Sequence, residues 1–148
     1  MVPRILAPGF GVTSQMTLSD IAAARDTGYV GIINDRPDGE EPGQPASAEL
    51  AEKARTLGLA YWHIPVAPGR FEDEQIDAFR SALDGCDGPV LGFCKSGLRA
   101  TSLWALGQVG VLSDNELIGT AAACGYDLTP LRPRIAERAA TRKAGTAA

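Results

Sequence analysis

Histidine, cysteine and long apolar runs are all scarce in this sequence, and each shortage excludes a class of function. One histidine and three cysteines, with no close cysteine pair, give no set of zinc ligands. No metal and no cofactor is expected. Three cysteines are an odd count and too few for a disulfide scaffold, which predicts a reducing compartment and a cytoplasmic protein. No apolar run approaches the ~18 residues of a membrane span. Met1-Val-Pro-Arg4 is followed by Gly, Thr, Ser and Gln, not by a signal-peptide core. Positive charge is also in short supply. Fourteen Lys and Arg against 18 Asp and Glu leave a net charge of −4. Such a chain is a poor match to a phosphate backbone or an anionic membrane, so neither is an expected partner.

What is present is ordinary for one globular domain. The chain has 148 residues, 45% hydrophobic and 22% charged. A single α/β domain is predicted over 1–140, with a frayed, disordered tail over 141–148. Thr17-x-x-Asp20 is a capping box opening a helix that Gly28 closes. Tyr29–Asn34 reads as a buried strand, and Asp35–Pro45 as a loop rich in proline, glycine and acids. Further helices are predicted over Ser47–Leu57, Glu72–Leu83 and Ala100–Val109. Two more follow, one after the capping box Ser113-x-x-Glu116 and one at Thr129-Pro130. Strands are predicted over Ala60–Val66, where Pro65 ends the strand or marks an edge, and over Pro89–Phe93. Strands separated by helices predict a three-layer sandwich, a mostly parallel sheet with helices on both faces. Ligands bind such sheets beyond the carboxyl ends of the strands. That directs attention to the loops after Asn34, Val66 and Phe93.

The loop after Phe93 carries the chemistry. An apolar strand ends at Cys94, a short turn Lys95-Ser96-Gly97-Leu98 follows, and Arg99 opens a helix. Backbone N–H groups of such a turn converge into an anion-binding nest. The helix start, Lys95 and Arg99 add positive charge. All of these favour thiolate over thiol at Cys94, so an accessible nucleophile of lowered pKa is expected. Gly97 lets the backbone turn. The plainer alternative is a buried core cysteine, but that needs no Lys, Ser, Gly and Arg in the next five positions.

Cys94-x-x-Gly97-x-Arg99 beside Trp104-Ala-Leu106 resembles the DUF442 family, the phosphatase-like domain of β-lactamase-hydrolase-like proteins. Ile33-Asn-Asp-Arg-Pro-Asp-Gly-Glu40, Gly58-Leu-x-Tyr61-x-x-Ile64-Pro65 and Gly125-Tyr-Asp-Leu128 extend the resemblance over about residues 5–135. It implies the fold of dual-specificity tyrosine phosphatases. It implies two chemistries as well, since members are named both as phosphatase-like proteins and as sulfurtransferases.

Loop spacing favours sulfur transfer. Four residues separate Cys94 from Arg99, where the tyrosine phosphatase signature has five. A smaller ring of amides suits one sulfur atom on Cys94, as in rhodanese-like enzymes. Phe93 stands where phosphatases usually place His, and Ala100 where they place Ser or Thr. No acid appears in Val66–Phe71, where a phosphatase takes its proton donor. Thiolates leave without one. The expected reaction therefore passes sulfane sulfur from thiosulfate or a small persulfide, through a Cys94 persulfide, to a thiol such as glutathione. The alternatives are phosphomonoester hydrolysis through a Cys94 phosphocysteine, a non-catalytic persulfide or anion-binding module, and a redox sensor. Cys94 and Arg99 are the expected catalytic residues. Lys95, Ser96, Gly97, Leu98 and Arg36 are the expected substrate contacts, Arg36 with the competing reading of a loop arginine paired to Asp38 or Glu40. His63, mid-strand, reads as structural. Glu72 and Asp73 read as helix-start residues. Cys86 falls at the far end of the Pro89–Phe93 strand from Cys94, too far for a direct disulfide.

Overall fold

The apolar run at Val90–Phe93 becomes the middle strand of a five-stranded sheet. In the computed structural model, which describes residues 1–147, the strands are β1 (Arg4–Ala7), β2 (Phe10–Thr13), β3 (Gly31–Asn34), β4 (Ala60–His63) and β5 (Val90–Phe93). Their order is β1-β2-β5-β3-β4. Only β1 runs antiparallel to its neighbour; the other pairings are parallel. The helices are α1 (Leu18–Thr27), α2 (Ser47–Thr56), α3 (Asp73–Asp84), α4 (Leu98–Gly107), α5 (Asp114–Ala123) and α6 (Arg132–Ala147), with a 3₁₀ turn at Thr129–Leu131. This is the expected α/β sandwich with a mostly parallel sheet.

Strand alternation splits the core in two. Ile32, Leu91 and Phe93 face α1 and α2 and meet Ile21 and Leu50. Ile33, Val90 and Val12 face the other way and meet Phe79, Leu103, Leu106 and Ile135. Every residue of α4 from Arg99 to Gly107 is buried, so the helix shows no amphipathic period and its start cannot be read from periodicity. It begins at Leu98 rather than Ala100, which brings Arg99 into its first turn. Gly92 allows this close seat. A Cβ there would come within 3.1 Å of the Phe10 ring and 3.5 Å of Ala100 Cβ.

Two boundaries differ from expectation. The β1–β2 hairpin was not predicted; its strands have four residues each and the turn at Pro8-Gly9, with Gly9 at φ 84°, is its one local signal. At the other end, α6 continues to Ala147 through most of the expected tail. Ala139, Ala140, Arg142, Lys143 and Ala144 are strong helix formers, which explains the extension. Ala148 lies outside the described residues.

Candidate active site

Cys94 follows the last residue of β5 and is 1% exposed, so the thiol is buried rather than accessible as the sequence suggests. The chain turns at once into α4. Gly97, at φ 100°, is the N-cap, and its N–H donates to Cys94 Sγ at 3.1 Å. A Cβ at Gly97 would run into the Tyr126 hydroxyl and come within 3.3 Å of the Thr13 carbonyl. Tyr126 Oη holds the turn from outside by donating to the Ser96 carbonyl at 3.1 Å. Thr101 Oγ1 donates to the Gly97 carbonyl at 2.8 Å. Among the described residues, no protein acceptor takes up the amides of Lys95, Ser96 or Arg99. Three such N–H groups lie within five residues of Cys94 and could serve an anion.

Arg99 is 8% exposed and is held by residues distant in sequence. Nη1 donates to Glu40 Oε2 at 2.8 Å and to the Val66 carbonyl at 2.9 Å. Nη2 donates to Glu40 Oε1 at 2.9 Å. A guanidinium has five N–H donors. The remaining two, Nε–H and one on Nη2, lie along one edge and bond to no oxygen among the described residues. The Arg99 pKa is raised, first by its bonds to Glu40, against burial, and further by the nearby Cys94 sulfur. Arg99 in turn lowers Glu40 to about 2, against partial burial and with help from Arg36.

Arg36 is buried and points inward. Nε donates to Glu40 Oε1 at 2.8 Å, Nη2 to Glu41 Oε1 at 2.6 Å and Nη1 to Gln15 Oε1 at 3.0 Å. Burial works against its charge, but the pairs with Glu40 and Glu41 outweigh it. Of the two sequence readings of Arg36, the structure gives the pairing with Glu40; Asp38 instead accepts from the Ser47 amide at 2.8 Å. Lys95 is 63% exposed, with Nζ 3.8 Å from Glu41. Leu98 is exposed at the rim. The mouth thus sets three cations against two carboxylates in a chain of negative net charge.

Asp35 was not singled out by the sequence. Asn34 pairs with Phe93, and the Asp35 N–H donates to the Phe93 carbonyl at 2.9 Å. The next pair in register is therefore Asp35 with Cys94, on one face of two adjacent strands. Asp35 has no exposed surface and neither carboxyl oxygen has a protein hydrogen-bond partner. Burial pushes its pKa well above the ordinary range, opposed by Arg99. Glu40 is legible from the sequence only as a partner of Arg36, not of Arg99, and Glu41 not at all.

The other weighed residues fall outside the cluster. His63 Nε2 pairs with the Arg36 carbonyl at 2.9 Å. Glu72 caps α3, and its N–H donates to Gln75 Oε1 at 2.9 Å. Asp73 accepts from Arg134 at 2.7 Å and from Arg138 at 3.3 Å, and Arg134 first of all lowers its pKa. All three cysteines are free thiols.

Comparisons with known proteins agree with this geometry. Residues 3–111 match the family model of the β-lactamase hydrolase-like protein, phosphatase-like domain. A β-lactamase hydrolase-like protein of Agrobacterium fabrum is 34% identical over 119 residues, 79% of this chain and 28% of the relative. The chain spans about a quarter of the length of the curated relatives it matches. Among solved structures, a candidate phosphatase of Neisseria meningitidis superposes with a TM-score of 0.80 at 27% identity, over 90% of this chain and 96% of that one. Tk-PTP in its active form superposes with a TM-score of 0.75 at 15% identity, over 95% and 97%, which is a likeness of fold.

Proposed function

The chain belongs to the DUF442 family, the phosphatase-like domain of β-lactamase hydrolase-like proteins, and on that premise we propose that it hydrolyses phosphomonoesters through a Cys94 phosphocysteine. One observation carries the proposal. Glu40 and Val66 occupy three of the five N–H groups of Arg99 and leave a parallel pair on one edge, close to the Cys94 sulfur. Such a fork matches two oxygens of a phosphoryl group. With the amides of Lys95, Ser96 and Arg99, it would bind a transferring phosphoryl group in a fixed, water-poor cradle.

The steps follow from the placement. The Cys94 thiolate attacks phosphorus, the S–P bond forms, and the P–O ester bond breaks. The leaving oxygen takes its proton from water. A water molecule then attacks phosphorus, the S–P bond breaks, and thiolate, inorganic phosphate and a proton result. Burial disfavours the charged form of Asp35, which works against a second negative charge beside the thiolate. Arg36, itself paired with Glu41, acts by holding Glu40, and Glu40 by orienting Arg99.

Family membership and the 27%-identical candidate phosphatase support phosphoester hydrolysis over the sulfur transfer that loop spacing favours. Sulfur transfer from thiosulfate or a small persulfide to glutathione is the second reading, on one observation: the four-residue spacing from Cys94 to Arg99. A paired assay on one preparation separates them. Phosphomonoester hydrolysis, with a phosphocysteine trapped by acid quench and abolished in Cys94→Ser, is the expected result. Sulfur transfer without any phosphoester turnover would reverse the ranking.

A further inference from the structure

Two hydrogen bonds of the turn meet on one peptide group. The peptide that joins Ser96 to Gly97 accepts from Tyr126 Oη at its carbonyl, 3.1 Å away, and donates its N–H to Cys94 Sγ, also at 3.1 Å. A trans peptide is planar, with C=O and N–H on opposite sides. Whatever holds this carbonyl outward therefore turns the N–H inward, onto the sulfur. The peptides on either side are pinned by the main chain. The Lys95 carbonyl accepts from the Gln15 N–H at 3.2 Å, and the Gly97 carbonyl from the Thr101 N–H at 3.0 Å. Among the described residues, the Ser96 carbonyl has the Tyr126 side chain alone.

Gly97 does not fix the orientation by itself. Its φ of 100° lies in the left-handed region, with ψ at −10°. A flip of the Ser96–Gly97 peptide would carry φ to negative values and leave ψ unchanged. That is the right-handed helical region, which glycine adopts as readily. The flipped loop would set a carbonyl oxygen against Cys94 Sγ. An inward N–H favours the sulfur anion, whereas an inward carbonyl favours the thiol, which can donate to it. Orientation and ionisation are thus coupled in this turn, and the Tyr126 hydroxyl weighs on one side. Tyr126 is itself firmly placed. It follows α5, with its N–H on the Ala121 carbonyl at 2.9 Å. Arg4 of β1 lies over its ring, 5.8 Å from the centroid, and donates to the Cys124 carbonyl. Burial raises the Tyr126 pKa, Arg4 opposes the rise and the Cys94 sulfur adds to it, so the hydroxyl keeps its proton at neutral pH.

Resting on Cys94 as the nucleophile of the phosphomonoesterase reading, we propose that Tyr126 is a positioning residue: it holds the Ser96 carbonyl outward, which keeps the Gly97 N–H on the sulfur and Cys94 in its thiolate form. The test titrates the Cys94 thiolate in the full chain by its ultraviolet absorbance, taken as the difference from Cys94→Ser, on the acid side of the tyrosine titration. Tyr126→Phe keeps the ring and removes one neutral hydrogen bond, which shifts a two-state balance by about fivefold. Its titration should move to higher pH by about that factor in proton concentration. Its kcat/KM for a phosphomonoester should fall by a similar factor on the acid limb and approach wild type at high pH. Thr101→Val loosens the next peptide, whose N–H bonds to Ser96 Oγ and not to sulfur, and should leave the titration in place. In the wild type, the Gly97 amide proton should follow the Cys94 titration in NMR spectra. Superposed titrations of wild type and Tyr126→Phe overturn the proposal, even if the variant is slower at every pH. An equal displacement in Thr101→Val, or a Gly97 amide that ignores the titration, overturns it as well. A displacement confined to Tyr126→Phe in a chain without phosphomonoester turnover supports the part played by Tyr126 and overturns the reaction instead.

Discussion

Arg99 combines a charge with a geometry, and the two can be separated. Lysine keeps the charge but cannot bond to Glu40 and Val66 while offering a parallel N–H pair. Arg99→Lys should lower kcat/KM for an aryl phosphate by ~10²-fold, the order of one lost transition-state donor. Retention of near wild-type rates would show that charge alone suffices. Asp35 supports a different measurement. Its pKa is raised in the folded state above 3.8, so between those values the native chain binds more protons than the unfolded one. The stability it contributes is complete below about 3.8 and is lost as pH rises through its folded pKa. Asp35→Asn removes that dependence. The variant should gain stability relative to wild type as pH rises from about 4 towards the folded pKa of Asp35, in denaturant titrations. A gap that does not change with pH would mean that Asp35 ionises normally.

The turn from β5 to α4 depends on Gly97 twice, for its positive φ and for the space taken by Tyr126. Gly97→Ala should cost about 1–3 kcal/mol in stability and weaken phosphate binding. Tyr126→Phe in the same chain removes the hydroxyl in the way but not the backbone strain, so it should restore only part. Full restoration in thermal melts would assign the whole effect to the clash. This strand–turn–helix unit was legible because its parts are neighbours in sequence: an apolar run, Cys94, Gly97 and Arg99 within ten residues. The partners of Arg99 were not. Glu40 lies 59 residues away and Val66 lies 33 away, and no local pattern announces a pair that the sheet order creates. For Arg36 the residues alone left two outcomes, because loop chemistry does not say which way a side chain turns. The β1–β2 hairpin was hidden for another reason. Strands of four residues, two of them Ala7 and Gly11, carry too few side chains to show a period of two.

The whole chain carries a charge of −4, yet beside Cys94 it sets Lys95 and Arg99, with Arg36 buried behind them, against Glu40 and Glu41. A dianionic substrate is repelled by most of the surface and drawn by one spot. Raising ionic strength from about 0.01 M to 0.15 M shortens the screening length from ~30 Å to ~8 Å, which mutes both effects. For a single phosphomonoester substrate, kcat/KM should fall a few-fold with salt, and Lys95→Ala should flatten that slope. A slope unchanged by the substitution would place the attraction elsewhere. The sheet order has a consequence of another kind. β5 lies between β2 and β3, both parallel to it, while β1 and β4 form the two edges. Proteins open from their margins, and strands bonded on both sides exchange their amide hydrogens last. Leu91 and Phe93 should therefore retain protection after Tyr61 and Ile5 have exchanged. The strand that presents Cys94 would then be among the last to open, and the chain could fray at both borders of its sheet with its reactive centre still assembled.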